Sequence, residues 1–144
     1  MPFTAIEKTL GRVSRDPSHR EGARAGTLLY PEPDMVMIHD GLVSDAKRAL
    51  DAIDIERLHA PEKTMMVSDH DVLYGGARAA ERGAFNRKAS KAWKLHGFYD
   101  AGRGGHGHIF PMEEGMVLPG MFYFDNDTHA TNAGAVGAFG LRVG

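Results

Sequence analysis

Imidazoles and carboxylates occur together at three points where an apolar run of strand length ends. The runs are residues 35–38, 64–68 and 121–124, and they lead into His39-Asp40, Asp69-His70 and Asp125-Asn126-Asp127-Thr128-His129. A carboxylate beside an imidazole fixes its tautomer and tunes its pKa, which are the requirements of general acid–base catalysis. If the three runs are neighbouring strands of one parallel sheet, the three clusters meet at its carboxyl edge, where ligands of open α/β sheets bind.

The third cluster leads into a segment of small residues, 130–140, that predicts a helix. Free backbone N–H groups at a helix start attract anions, so Thr128 and this helix start are candidates for binding a carboxylate. The alternative is a polar turn in which Asp and Asn only cap the chain. The glycines at 134, 137 and 140 lack the Gly-x-Gly start of a phosphate-binding fingerprint and indicate close packing.

The elements around these clusters alternate between apolar strands and amphipathic helices. This order predicts an α/β fold with three layers, α/β/α, and a mostly parallel sheet. Thr4 and Glu7 have capping-box spacing, which predicts a first helix over residues 5–13. The other expected elements are a short strand at 28–30, a helix over 42–53 capped by Ser44 or Asp45, a helix over 77–95 ended by His96-Gly97, an edge strand at 98–99 and a turn at Pro119-Gly120.

Length and composition predict one domain, residues 1–144, with a core of its own. Hydrophobic residues make up 42% of the chain, and the formal charge of −2 gives no bulk electrostatic reason to bind nucleic acid or an anionic membrane surface. The basic residues of 78–94 alternate with alanine and are expected on a solvated helix face. Since no apolar stretch has membrane-spanning length and residues 1–4 do not resemble a signal peptide, a cytoplasmic location is expected.

The chain has eight histidines and no cysteine, which excludes disulfides and thiolate ligands within it. Any metal held by this chain alone would need imidazole and carboxylate ligands. His19, His59 and His96 have no neighbouring cluster and are expected at the surface. His106 and His108 lie in a glycine-rich stretch, residues 101–108, which is either a solvated loop or a His-x-His pair able to chelate a metal.

Taken in order, several motifs resemble the amino-terminal region of the aconitase family, in particular the large subunits of 3-isopropylmalate and dimethylmalate dehydratases. The motifs are Met37-Ile38-His39-Asp40, Ser68-Asp69-His70, Gly105-His106-Gly107-His108, Pro111-Met112-Glu113-Glu114-Gly115, Pro119-Gly120, Asp127-Thr128-His129 and the segment 134–140. The resemblance spans nearly the whole chain. It implies an iron–sulfur hydro-lyase that removes and re-adds water on a small hydroxy di- or tricarboxylic acid, together with a small subunit or the remaining domains of a dehydratase.

The resemblance also implies roles for individual residues. His70, oriented by Asp69, would act on the substrate hydroxyl that leaves as water. His108, Asp127 and His129 match further catalytic positions, while His39 and Thr128 match positions that bind substrate. Thr128 replaces the family's usual serine and adds a methyl group, and residues 102–105 form a small insertion.

The family's [4Fe–4S] cluster is held by cysteines in a part beyond Gly144, so this chain by itself is expected to be colourless and inactive as a hydratase. The preferred hypothesis is therefore the amino-terminal part of a longer large subunit. One alternative is a truncated module that binds carboxylic acids or partner subunits without catalysis. Another is a metal-dependent hydrolase or phosphatase, since Asp125-x-Asp127-Thr128 resembles a phosphatase nucleophile motif.

Overall fold

The sheet of this protein has five strands that all run parallel. The computed structural model describes residues 1–73 and 75–143, so that Gly144, the last residue of the predicted domain, lies outside the described residues. The strand order is β3-β2-β1-β4-β5. The strands are β1 (Met35–His39), β2 (Thr64–Val67), β3 (Gly97–Tyr99), β4 (Phe122–Asp125) and β5 (Phe139–Arg142). The predicted α/β class and the predicted edge strand are confirmed.

The three apolar runs that precede the His/Asp clusters are neighbours in the sheet. β1 lies between β2 and β4, with His39 opposite Val67 and Met37 opposite Asp125. β2 is buried along its whole length, as expected for a parallel strand covered on both faces. The carboxyl ends of these three strands are therefore side by side.

Each face of the sheet has its own hydrophobic core. On one face, Ile38 and Met66 pack with Ala89 and Trp93 of a long helix. On the other face, Met37 and Tyr123 belong to a core that includes residues after β3 and β4. The helices are α1 (Ala5–Arg12), α2 (Val43–Asp51), α3 (Ala77–Trp93) and α4 (Phe110–Glu113).

Helix ends follow the sequence signals only in part. The predicted capping box is confirmed, because Glu7 N donates to Thr4 Oγ1 and Thr4 N donates to Glu7 Oε2. The predicted cap of α2 by Ser44 or Asp45 is wrong: a 3₁₀ turn, Asp40–Leu42, runs directly into the helix and leaves Leu42 at the cap position. The 3₁₀ turn is favoured here because Asp40 is held in place by residues after β2.

Three other predicted elements differ from the structure. Residues 28–30 form no strand. Pro31 and Pro33 have no backbone N–H to donate to a neighbouring strand, and the pairing in this region is limited to one bridge between Ser14 and Pro31. Helix α3 ends at Trp93, where Lys94 takes a left-handed conformation, and Gly97 already belongs to β3. The small-residue segment after β4 is a 3₁₀ helix, Thr128–Val136, that leads into a fifth strand.

The basic side chains of α3 lie at the surface, as predicted, and Arg82 forms an ion pair with Asp71. Among the helices of residues 1–73 and 75–143, none has both the length and the apolar character needed to cross a bilayer.

Candidate active site

Four histidines from different parts of the chain converge at the carboxyl edge of the sheet. His39 ends β1, His70 follows β2, His129 follows β4, and His108 lies on the loop just before α4. The ring centroid of His108 is 4.3 Å from that of His39 and 4.5 Å from that of His129. The rings of His39 and His70 are 5.5 Å apart. The structure thus brings together every histidine to which the sequence assigned a role.

His39 is the buried centre of this cluster. Its side chain is 1% exposed, with Nδ1 3.4 Å from Asp69 Oδ1 and Nε2 3.3 Å from Asp125 Oδ2. Burial alone would lower the pKa of His39, but the two carboxylates outweigh it and raise the pKa to about 9. His39 is therefore an imidazolium ion that joins the ends of β1, β2 and β4.

His70 is the accessible member of the cluster. Its side chain is 48% exposed, and its Nδ1 lies 2.6 Å from Asp69 Oδ1 and 3.0 Å from Asp40 Oδ1. The backbone N–H of His70 also donates to Asp40. Because both acceptors are carboxylates, Nδ1 carries a proton and the Nε2 atom is left for other partners.

Asp69 connects the two rings. Burial would raise its pKa, but His39 and the backbone N–H of Gly107, which donates to Oδ2 at 2.7 Å, hold the pKa of this carboxyl far below its usual range. Asp69 is therefore ionised at neutral pH. Its negative charge orients both imidazoles.

Asp127 organises the second accessible histidine. Its Oδ1 atom accepts from the backbone N–H of His129 at 2.9 Å and lies 2.7 Å from His129 Nδ1. Burial is outweighed by these contacts, and the pKa of Asp127 is lowered. The Thr128 hydroxyl also donates to Asp127 Oδ1, at 3.4 Å. The start of the 3₁₀ helix, which the sequence suggested for an external carboxylate, is thus capped by the chain's own Asp127.

His108 lies between these two groups. Its side chain is 5% exposed, Nε2 is 3.5 Å from Asp127 Oδ1, and Nδ1 is buried without a hydrogen-bond partner among the described residues. Burial and the positive charge of His39 lower the pKa of His108. His108 is accordingly a neutral imidazole at neutral pH. His106 is exposed, with its ring 5.0 Å from that of His108.

A glycine is required where the loop crosses His39. A Cβ at Gly107 would lie 2.6 Å from His39 Cε1, 2.7 Å from Met37 Cε and 2.9 Å from Asp69 Oδ2. We expect Gly107→Ala to lower the free energy of unfolding by about 1–3 kcal/mol, because the surrounding groups are buried and must shift. Urea denaturation measures this change.

Gly105→Ala is the matched control in the same loop. A Cβ at Gly105 would meet Phe110 atoms at 3.4 Å, an ordinary contact distance. We expect a change within about 0.5 kcal/mol there. Equal losses in the two variants would contradict the close approach at Gly107.

Among residues 1–73 and 75–143, three groups of side chains have donor atoms close enough together to hold a metal ion. They are His39-His70-His108, His108-Asp127-His129 and Asp40-Asp69-His70. Imidazole and carboxylate groups are common ligands of zinc and iron(II), whereas an iron–sulfur cluster is bound by thiolates. The residues present do not fit a [4Fe–4S] cluster, because the chain has no cysteine to supply its thiolates.

The dehydratase resemblance assigns no role to Asp40, Asp125 and Tyr123, although Asp40 and Asp125 belong to the His/Asp clusters and Asp125 to the phosphatase-like motif. Asp40 orients His70, and Asp125 is 0% exposed, pairs with His39 and accepts from the Tyr123 hydroxyl at 3.4 Å. Burial and the charge of Asp125 raise the pKa of Tyr123. The period-two alternation of β4 places Tyr123 on the same face as Asp125, and this was the available signal. The burial of Asp125 disfavours the phosphatase hypothesis, which needs an accessible nucleophile.

An open pocket of about 460 Å³ borders Asp69 and the glycine-rich stretch. Asp69 and His106 line it together with Val72, Leu73 and glycines of the 101–105 stretch. The glycine-rich stretch therefore borders a cavity rather than only a solvated surface. Among the histidines without an assigned role, His59 and His96 are exposed as predicted, while His19 is partly buried and lies 3.2 Å from Ser14 Oγ.

Comparison with known proteins gives a consistent set of relatives, although no family model matches the chain. The chain is 35% identical over 147 residues to 3-isopropylmalate dehydratase large subunit 2 of Rubrobacter xylanophilus, covering 100% of this chain and 33% of the relative. It is 33% identical to a second such subunit, from Methanopyrus kandleri, over 86% of this chain and 30% of the relative. It is 34% identical to the homoaconitase large subunit of Thermus thermophilus, over 88% of this chain and 30% of that subunit. The chain thus spans about a third of the length of these relatives.

Proposed function

This chain belongs to the family of 3-isopropylmalate dehydratase and homoaconitase large subunits, as the counterpart of their amino-terminal region, and we propose that it supplies acid–base imidazoles to a hydro-lyase. The observation that carries the proposal is the arrangement of His70. Its Nδ1 atom lies between two carboxylate oxygens while its ring is half exposed, and Asp69, one of the two carboxylates, lines an open pocket. A hydro-lyase needs such an oriented proton donor, because hydroxide is a poor leaving group.

The direction of proton transfer follows from the contacts of His70. Asp40 and Asp69 hold the Nδ1 proton, so the exchangeable position is Nε2. In the imidazolium form, Nε2–H donates to the substrate hydroxyl as its carbon–oxygen bond breaks, and water leaves. The double bond forms as a base from the further polypeptide takes the proton of the neighbouring carbon, and the same group returns that proton in hydration. In the reverse direction, the neutral ring accepts a proton at Nε2 from the water that adds to the double bond.

His108 and His129 serve a different purpose in this proposal. His129 is oriented by Asp127 as His70 is by Asp69, and its side chain is 62% exposed. His108 is buried and neutral, so its ring can share a hydrogen bond without placing a second cation beside His39. We assign His129 to substrate contact and His108 to the alignment of Asp127 and His129.

The substrate class in this proposal is a small hydroxy di- or tricarboxylic acid. The carboxylates Asp40, Asp69, Asp125 and Asp127 make this edge of the sheet acidic, which opposes the binding of an anionic substrate by this chain alone. The carboxylates of the substrate therefore need cationic groups from further polypeptide. The remainder of a large subunit and a small subunit are the proposed sources. The thiolates of an iron–sulfur cluster must likewise come from the further polypeptide. The proton transfers proposed for His70 do not depend on that cluster.

A transplantation experiment tests the proposed function. This chain replaces its counterpart in large subunit 2 of Rubrobacter xylanophilus, and the hybrid is assembled with its small subunit and assayed anaerobically for dehydration of 3-isopropylmalate. We expect measurable turnover, since the match covers the full length of this chain. His59→Ala is the control, because His59 is exposed and remote from the cluster. A hybrid that folds and assembles but has no activity would count for the non-catalytic module instead.

A further inference from the structure

One face of the sheet carries an apolar groove, and we propose that it is the docking surface for a helix of the remaining large-subunit polypeptide. The groove has a volume of about 690 Å³ and is lined by Val36, Ile38, Leu50, Ile53, Phe124 and Val143. This inference rests on the proposed function for the identity of its partner. It concerns the face of β4 and β5 beside α2, which is the face of the sheet opposite the His39 side chain, although Asn126 on its lining also accepts a hydrogen bond from the His39 backbone N–H.

The groove exists because the helices cover this face unevenly. α2 and α3 pack side by side over Ile38 and Met66, which covers the face toward β2, whereas Val36 of β1 and Phe124 of β4 remain on the lining of the groove beside α2. The pairing register places Val36, Phe124 and Leu141 in one row across β1, β4 and β5. Leu141 is 38% exposed and Val143 is 49% exposed, so the row is open at its β5 end.

The opposite face of the same strands is already covered. There Tyr123 packs in a core with Ala133 of the 3₁₀ helix, and a Cβ at Gly140 would lie 2.0 Å from Ala130 O. Parallel sheets bury both faces of their strands. The open face of β4 and β5 is therefore the part of the sheet whose cover is absent from residues 1–73 and 75–143.

The shape and chemistry of the groove fit a helix. Two strand spacings amount to roughly 10 Å, which matches the diameter of a helix with its side chains and the distance between packed helices. The neighbouring wall is α2 and the turn after it, where Ile53 is 67% exposed and extends the apolar surface beyond the helix. Asp45 and Asn126 are the polar side chains on the lining, which favours a partner with an aliphatic face and hydrogen-bond donors at its rim.

The relatives indicate where such a helix comes from. All of this chain matches only 33% of the Rubrobacter xylanophilus subunit, which therefore contains about twice as much further polypeptide. Val143, the last described residue, lies in the groove itself, so the polypeptide path at the end of β5 reaches this surface. The proposed occupant of the groove is therefore a helix from the remaining two thirds of the large subunit, and not a second copy of this chain.

Co-purification tests the proposal without requiring turnover. This chain is co-expressed with the part of the Rubrobacter xylanophilus large subunit that it does not match, and the dissociation constant is measured with the purified partners. We expect Ile53→Glu and Val143→Glu each to weaken association by about 10- to 100-fold, because each places a charge where an aliphatic contact is buried. Both side chains are exposed in this chain, so its own fold tolerates the changes.

Leu28→Glu is the matched control, since Leu28 is 76% exposed and lies outside the groove. It should leave the dissociation constant unchanged. Equal affinity for the groove variants, or no association of the unaltered chain, would overturn the proposal. Self-association of this chain that Ile53→Glu abolishes would overturn it in favour of a second copy. An inactive complex that depends on the groove would support the docking surface while the proposed function failed.

Discussion

Replacing His70 with alanine is expected to lower turnover of the assembled enzyme by about 10²–10⁴-fold, the usual contribution of a positioned general acid. The substrate's KM should change little, because the proton is needed mainly in the transition state. The hybrid large subunit, assembled with its small subunit, provides the assay. The expected effect is large because Asp40 and Asp69 both contact Nδ1 of His70 and so hold this exposed ring in one tautomer, with Nε2 free to transfer the proton.

The control for this prediction is His59→Ala, which removes an exposed imidazole that pairs only with Glu32 among the described residues. Its turnover should match that of the parent. If His70→Ala keeps near-parental turnover while substrate binding collapses, His70 is a substrate anchor. The proton donor must then be sought at His129, whose ring has the same carboxylate orientation.

Asp69→Asn is a less selective test than the sequence suggested. In the sequence, Asp69 is simply the neighbour of His70, the one ring that it would orient. In the structure, Asp69 also faces His39 and accepts the Gly107 N–H. Its replacement would leave the His39 imidazolium with Asp125 alone, so a loss of rate would be mixed with a loss of stability.

Much of the site could be predicted because strand ends are local signals. Apolar runs ending in His39, Asp69 and Asp127 predict parallel strands with polar groups at one edge, and parallel pairing needs only that the runs be neighbours. What the sequence could not supply is which carboxylate meets which ring. The contact between His39 and Asp125 joins residues 86 positions apart, and it depends on the register of β1 against β4.

The errors in the fold have a similar origin. The cap of α2 was assigned from local polarity, but Asp40 is held by the backbone N–H groups of residues after β2, and this tertiary contact sets the turn. Residues 130–140 have the composition of a helix, but a Cβ at Gly140 would collide with Ala130 O, so the tight path of the 3₁₀ helix depends on contact with β5. Such contacts are not encoded by neighbours in the sequence.

The stability of this protein is expected to fall as the pH rises through about 9, and His39 is the reason. Its pKa is raised from 6.5 to about 9 in the folded chain, where Asp125 and Asp69 outweigh the effect of burial. The folded state therefore binds more protons than the unfolded state between these two values. The corresponding stability is fully present below pH 6.5 and is lost progressively up to about pH 9, amounting to as much as about 3 kcal/mol.

At acidic pH, the free energy of unfolding is expected to change in the opposite direction and to rise with pH. The pKa values of Asp69 and Asp127 are lowered by folding, so their contributions are present above the ordinary range of an aspartate and are lost as the pH falls. The lowered pKa of His108 acts in the same direction as the pH falls below 6.5, so maximal stability is expected toward the upper end of the interval between about pH 4 and 6.5. Urea denaturation at a series of pH values measures the free energy of unfolding across both limbs.

His39→Gln isolates the alkaline limb, because glutamine can still donate one hydrogen bond but does not titrate. The variant is expected to be less stable below about pH 9, where Asp69 and Asp125 lose their cation, and to show no decline between pH 6.5 and 9 that belongs to His39. His96→Gln, at an exposed position, should keep the decline of the parent. If the two variants lose stability with the same slope over this interval, then another group titrates there, and the buried imidazolium is not what ties the three strand ends together.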